Sequence, residues 1–149
     1  MDILASHRIL TRVEGDNEMN EPLHVLAGTT PVYGFRDQGG HDHSFRFLIS
    51  GEQSGGSYST MEVMSPQGSG PGLHVHEDSE EHFLVLDGSI DFQVGNQFFT
   101  AQKGDVIHVP RGCEHAFSVN SPQATTVATY SPAGDEELLR QASVLIEDN

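Results

Sequence analysis

The sequence predicts an all-β fold, a sandwich or barrel, followed by one short C-terminal helix. Three observations predict it: short alternating or β-rich stretches recur along most of the chain, turn residues separate them, and an acidic-then-apolar stretch of helical period closes the sequence. Composition agrees. At 149 residues, 36% hydrophobic and 19% charged, with 16 Gly and 7 Pro, the chain suits one turn-rich domain, and two would both be undersized.

The β-rich stretches are residues 45–49, 58–64, 73–76, 83–86, 90–94, 106–109, 115–119 and 125–130. Their spacing is that of a sandwich or barrel. The "DGS" at 87–89 and "VGNQ" at 94–97 carry Gly and Asn where tight hairpins need positive φ, so 83–100 reads as a meander of three strands. Gly- and Ser-rich pieces at 51–57 and 65–72 read as loops. In "SPAGDEELLRQASVLIEDN" acidic residues fall in a first helical turn, and Leu138, Leu139, Ala142, Leu145 and Ile146 follow at helical spacing. This predicts a helix over about 135–146 whose apolar side packs on the barrel. Earlier in the chain, 23–27 and 32–35 are expected as strands at a sheet edge or subunit contact.

Charge excludes some functions. Seven basic against 22 acidic residues leave a net charge of -15 with no basic cluster, which would repel a phosphate backbone or an anionic membrane surface. The opening "MDILASHRIL" has no apolar run fit for a signal peptide, and no segment approaches a membrane span. A cytoplasmic location is expected, and the lone Cys113 agrees with a reducing compartment. With no base paired to it locally, Cys113 reads as a small thiol and not a nucleophile.

Chemistry concentrates in "GLHVHEDSEEHFLVLDG", residues 72–88. His74 and His76 are two apart, so on a strand both project from one face, with Val75 on the other. A turn over 77–79 would bring the next strand back beside the first, with Glu81, Phe83 and Val85 sharing a face. His115, at the end of "GDVIHVPRGCEH", is expected to reach the same point from a neighbouring strand. Three imidazole nitrogens and one carboxylate oxygen suit a divalent transition metal.

These residues resemble the cupins. Their first motif, Gly-x5-His-x-His-x3,4-Glu-x6-Gly, is met in register by Gly68, His74, His76, Glu81 and Gly88, whereas Glu80 fails the count. Their second, Gly-x5-Pro-x-Gly-x2-His-x3-Asn, is met by Gly104, Pro110, Gly112 and His115, but Val119 stands in the last place and Asn120 comes one step late. The motifs span 68–119, about a third of the chain. More widely, "RFLISGEQSGG", "FQVGNQFFTAQKGDVIHVPRGCEHAF" and "YSPAGDEE" look like the single-domain cupins described as quercetin dioxygenase-like.

The resemblance implies a jelly-roll type β-barrel occupying 1–149 as one domain, with a core at about 44–131, N-terminal strands within 1–43 and the C-terminal helix. It implies one divalent metal ion (Fe, Mn, Ni, Co, Cu or Zn) held by His74, His76, Glu81 and His115. Glu81 would double as the catalytic base of a dioxygenase acting on a small aromatic or enolisable hydroxy-carbonyl compound. The alternatives are a non-oxidative isomerase, lyase or polyketide cyclase using the same metal, and a non-catalytic small-molecule-binding cupin. A homodimer joined through the N-terminal strands is implied as well.

Other residues have plainer readings. Glu77, Asp78 and Glu80 form a solvated acidic turn, His82 and His108 fall by parity on the alternate strand faces, and His41 and His43 belong to a loop. Phe45, Phe47, Met61, Met64 and Phe92 fill the barrel. Phe83 and Phe117 share faces with the metal ligands and are expected as substrate-pocket walls.

Overall fold

The computed structural model describes residues 21–147. Ten strands form: β1 Val32–Arg36, β2 Asp42–Ile49, β3 Ser59–Pro66, β4 Glu80–Asp87, β5 Ser89–Val94, β6 Gln97–Gln102, β7 Val106–Val109, β8 His115–Val119, β9 Gln123–Ser131 and β10 Val144–Glu147. One helix, α1 Glu137–Ala142, precedes β10. A seven-stranded sheet runs in the order β10-β1-β2-β3-β9-β4-β7 and a three-stranded sheet in the order β6-β5-β8. The two make an open jelly roll whose sheets share no strand pair.

Side-chain alternation makes these strands and packs them. Along β4, Glu81, Phe83 and Val85 are buried while His82 and Leu84 face outward; along β9, Ala124, Thr126, Ala128 and Tyr130 are the buried set. Phe83 and Val85 then meet Ile90 and Phe92 of β5, Ala101 of β6, and Ile107 and Val109 of β7 in one core that joins the two sheets. A second apolar cluster, Phe45, Met61 and Tyr130, takes Phe35, Phe47 and Leu139 against it. Glu81 lies opposite Val109 on one side and Tyr130 on the other, where the two clusters meet.

Several expectations are corrected. Residues 83–100 do not form a three-strand meander. β5 and β6 do make a hairpin, Val94 opposite Gln97 across a turn with Gly95 at φ +56°, but β4 and β5 lie in different sheets. The "DGS" segment is a corner. Its Gly88 has φ +88°, and a Cβ there would sit 2.5 Å from the Gln123 carbonyl oxygen, so the chain turns against β9 at a point that only glycine can occupy.

The predicted helix over 135–146 shrinks to six residues. After Ala142 the chain extends at Ser143 and enters β10, which pairs antiparallel with β1, Leu145 opposite Tyr33 and Val144 opposite Gly34. The β-branched Val144 and Ile146 suit a strand, and the open edge of β1 supplies unpaired backbone groups to bond. Ile146 lies over Gly34, so closely that a Cβ at Gly34 would be 2.4 Å from its Cδ1. The helix still touches the fold: Leu139 packs on the second cluster and the Arg140 guanidinium stands 4.3 Å from the Phe47 ring centre.

Residues 23–27 form no strand, and of 73–76 only His74 makes a β-bridge, whereas β1 covers the expected 32–35. The part of the expected N-terminal strands within 1–20 lies outside the described residues. Among the described residues no helix is long and apolar enough to cross a membrane.

Candidate metal centre

The segment between β3 and β4 is held by its backbone to β8 and to the loop that leads into it. Gly68 N–H donates to the Val119 carbonyl, Val119 N–H to Ser69, and Gly112 N–H to His76. His74 and His115 form an antiparallel bridge with reciprocal N–H to carbonyl bonds of 3.0 Å each. The partner strand of the His74–His76 segment is therefore β8, not β4 as its sequence neighbourhood suggested. Glu81 arrives from the other sheet, in β4.

The result brings His74, His76, Glu81 and His115 together, one ligand atom from each lying within 4.8 Å of the others. His76 Nε2 and His115 Nε2 stand 3.2 and 3.1 Å from the same oxygen, Glu81 Oε2. The other ring nitrogens are engaged elsewhere. His74 Nδ1 donates to the Gly72 carbonyl at 2.8 Å and His115 Nδ1 to the Cys113 carbonyl at 2.9 Å. His76 Nδ1 lies 3.0 Å from Asp135 Oδ2. Held at Nδ1 in this way, His76 and His115 present Nε2 to the shared point at Glu81 Oε2.

Burial and charge reinforce each other there. Desolvation works against the Glu81 charge, but the hydrogen bond with His115, the close approach and charge of His76 and the Tyr130 hydroxyl outweigh it and hold the carboxyl below the usual glutamate range. His76 is raised, first by the Glu81 carboxylate oxygen close to its Nε2, then by the Glu81 and Asp135 charges, against desolvation. His74 is lowered, chiefly by desolvation, which the Gly72 carbonyl and the Glu81 charge do not offset. Burial, with the Glu81 charge beside it, pushes the Tyr130 hydroxyl well above its ordinary range.

The donor set fits a divalent transition metal. His76 Nε2 is buried and makes no hydrogen bond of good geometry despite its nearness to Glu81. A buried polar atom left so is costly unless something positive takes its lone pair. Ligands about 2.0–2.2 Å from one ion stand about 3–3.5 Å apart, the spacing already present around Glu81 Oε2.

Sequence reasoning missed two contributors. Asp135, expected in a first helical turn, lies before α1 with its carboxylate against His76 Nδ1, and it also accepts a hydrogen bond from Ser79 Oγ. Tyr130 was read only as a strand residue, although its ring packs edge-on to His76 with centres 5.3 Å apart. No local pattern carries either contact. Its parity with Ala124, Thr126 and Ala128 marks Tyr130 as inward-facing but does not name the carboxylate it meets.

The remaining candidates are placed as follows. Phe83 is 4% exposed in the core, its ring 5.5 Å from that of Phe117. Phe117 also lines an open groove of about 420 Å³ with Gly72, Phe92 and Phe98, next to the loop that carries His74; neither Phe83 nor any of the four ligands lines it. Val119, in the place of the motif asparagine, is buried in the core, and Asn120 N–H bonds the Ser89 carbonyl. Glu77 and Asp78 are exposed, as a solvated turn requires. His43 departs from its expected loop: it lies in β2, 7% exposed, with Nδ1 3.0 Å from Ser65 Oγ, Nε2 3.0 Å from Asp37 Oδ2, and its ring stacked on Phe35. Cys113 is half-buried.

Comparison with known proteins gives a family match over part of the chain and more distant likenesses. The family described as "Cupin domain" matches residues 60–130, which include all four clustered residues and Tyr130. The chain is 26% identical over 88 residues to a quercetin 2,3-dioxygenase of Bacillus subtilis, covering 59% of this chain and 26% of that protein. It is 30% identical over 101 residues to a quercetin 2,3-dioxygenase of Aspergillus japonicus, covering 63% and 29%. The chain thus spans under a third of the length of either dioxygenase. The crystal structure of a predicted oxalate decarboxylase from Thermotoga maritima superposes with a TM-score of 0.67 at 20% identity, covering 74% of this chain and 99% of that one, a likeness of fold.

Proposed function

We propose that the chain, whose residues 60–130 match the cupin-domain family, is a metal-dependent enzyme of small-molecule chemistry, a dioxygenase of an aromatic or enolisable hydroxy-carbonyl compound. The observation that carries this reading is the convergence of His74, His76 and His115 with Glu81 at a point between the two apolar clusters. Similarity to two quercetin 2,3-dioxygenases supports the oxidative form of the reaction.

His74, His76, Glu81 and His115 would hold the ion; a divalent transition metal there supplies Lewis acidity and, where its redox chemistry allows, reactivity toward dioxygen. Glu81 takes the proton from the substrate hydroxyl at Oε2. The hydrogen bonds that hold its carboxyl low also make it a weak base, so it favours hydroxyls that are already acidic, phenols and enols, over aliphatic alcohols. Tyr130 and Asp135 keep Glu81 charged and the His76 ring oriented. The apolar residues on either side of Glu81 limit the water that reaches the reacting oxygen.

The test is oxygen uptake with a flavonol and catechol panel after reconstitution with Fe, Mn, Co, Ni, Cu or Zn in turn. Turnover with stoichiometric oxygen consumption is expected, and it is lost in His76→Ala. Turnover that persists anaerobically overturns the dioxygenase in favour of isomerase, lyase or cyclase chemistry. Equal, negligible metal in the native protein and in His76→Ala overturns the metal centre itself.

A further inference from the structure

The outer face of the seven-stranded sheet carries a second convergence of ligands. In the β4–β7 pair His82 stands directly opposite His108, with ring centres 4.9 Å apart at 69°. Glu80, two residues before His82, shares its face, and its Oε1 lies 3.9 Å from His82 Nε2. One ligand atom from each of the three falls within 4.8 Å of the others. Glu81, between Glu80 and His82, points through the sheet to the inner cluster, so adjacent residues of one strand feed two sets of donors on opposite faces.

We propose that Glu80, His82 and His108 form a second binding site for a divalent late transition metal such as Zn²⁺, Ni²⁺ or Cu²⁺. Two imidazoles and one carboxylate select these ions over Mg²⁺ and Ca²⁺, which take all-oxygen shells. The antiparallel ladder already orders the two histidine backbones as cross-strand neighbours, so binding has only side-chain torsions to fix. Those torsions are free to move, because His82 and Glu80 have side chains 46% and 43% exposed. Small rotations bring the donors from within 4.8 Å to the roughly 3–3.5 Å of ligands around one ion. Water completes the coordination, and the net charge of -15 raises the local concentration of cations. Exposure, and the absence among the described residues of hydrogen-bond partners that would orient the two rings, make this site the weaker of the two.

The full chain, stripped of metal, is titrated with Zn²⁺ against a chromophoric chelator, together with His82→Ala/His108→Ala, Glu80→Gln and His76→Ala. The wild type is expected to bind two equivalents of unequal affinity. The double variant loses the weaker equivalent and keeps the tighter one unchanged; Glu80→Gln lowers the affinity of the weaker one alone; His76→Ala affects only the tighter one. Because His82 and His108 are exposed, the double variant keeps its unfolding midpoint. A single wild-type equivalent that the double variant retains, or a second equivalent that survives unchanged in the double variant, overturns the outer site. A single wild-type equivalent that the double variant loses and His76→Ala keeps supports the outer site and overturns the inner centre instead.

Discussion

Replacing Asp135 by asparagine keeps the shape of the side chain that meets His76 and removes its charge. In the folded protein Asp135 Oδ2 lies 3.0 Å from His76 Nδ1 and also accepts from Ser79 Oγ, with side-chain exposures of 29% for Asp135 and 15% for His76. A hydrogen bond to a charged partner contributes about 1.5–3 kcal/mol and is about twice as strong as a neutral one. Partial exposure puts this one toward the lower end, so losing the charge costs about 1–1.5 kcal/mol, or about tenfold in metal affinity. Asp135→Ala also leaves the His76 N–H and the Ser79 hydroxyl without their acceptor, and it approaches the hundredfold upper end for partners that orient metal ligands. A competing effect has the opposite sign. The Asp135 charge raises the His76 pKa, so its removal eases proton competition for the ring. Measuring the dissociation constant by chelator competition at about pH 8 and above, beyond the ordinary imidazole range of about 6.5, reduces that competition. Unfolding midpoints of the apo-proteins separate orientation from general damage. Wild-type metal affinity in both Asp135→Asn and Asp135→Ala would refute the reasoning.

Three further outcomes are expected. Phe83→Ala, in the core joining the two sheets, lowers stability by about 3–5 kcal/mol in a urea titration, and a loss under about 1 kcal/mol would show that the site refills. Desolvation disfavours the Asp37 charge, but hydrogen bonds from His43, from the His41 backbone N–H and from the His41 ring overcome it and hold the carboxyl well below the usual aspartate range. Its contribution is therefore complete above the unfolded-state value of about 3.9 and is lost as pH falls from there through the lower folded-state value; Asp37→Asn is less stable at neutral pH and shows a flatter acid limb in urea midpoints followed over that range. Gly88→Ala places a Cβ 2.5 Å from the Gln123 carbonyl oxygen at φ +88°, so thermal unfolding falls by several degrees, and an unchanged midpoint would refute the corner assignment.

Within "HEDSEEHF" the alternation of a strand was enough to separate Glu81, with Phe83 and Val85, from Glu80 and His82 on the opposite face. That separation needs no knowledge of the neighbours, because successive side chains of any extended strand point to opposite sides. Motif spacing added His115 at long range, and the structure places it beside Glu81. What sequence reasoning got wrong has one character: it assigned the partner nearest in the chain. It paired the His74–His76 segment with β4, made Asp87–Gly88–Ser89 a hairpin, and continued the last helix through Val144 and Ile146.

Alternation, turn chemistry and the ligand types are local properties, so the sequence by itself determined an all-β fold, the inward parity of Glu81 and the donors available for a metal. Which backbone bonds which is decided by competition among distant segments for the same N–H and carbonyl groups. Only the tertiary structure could bridge His74 to His115, lay β10 along β1, bring Asp135 to His76 and set His82 across from His108. Each of those contacts joins residues between 26 and about 110 positions apart in the sequence, and no period within a strand or helix reaches that far.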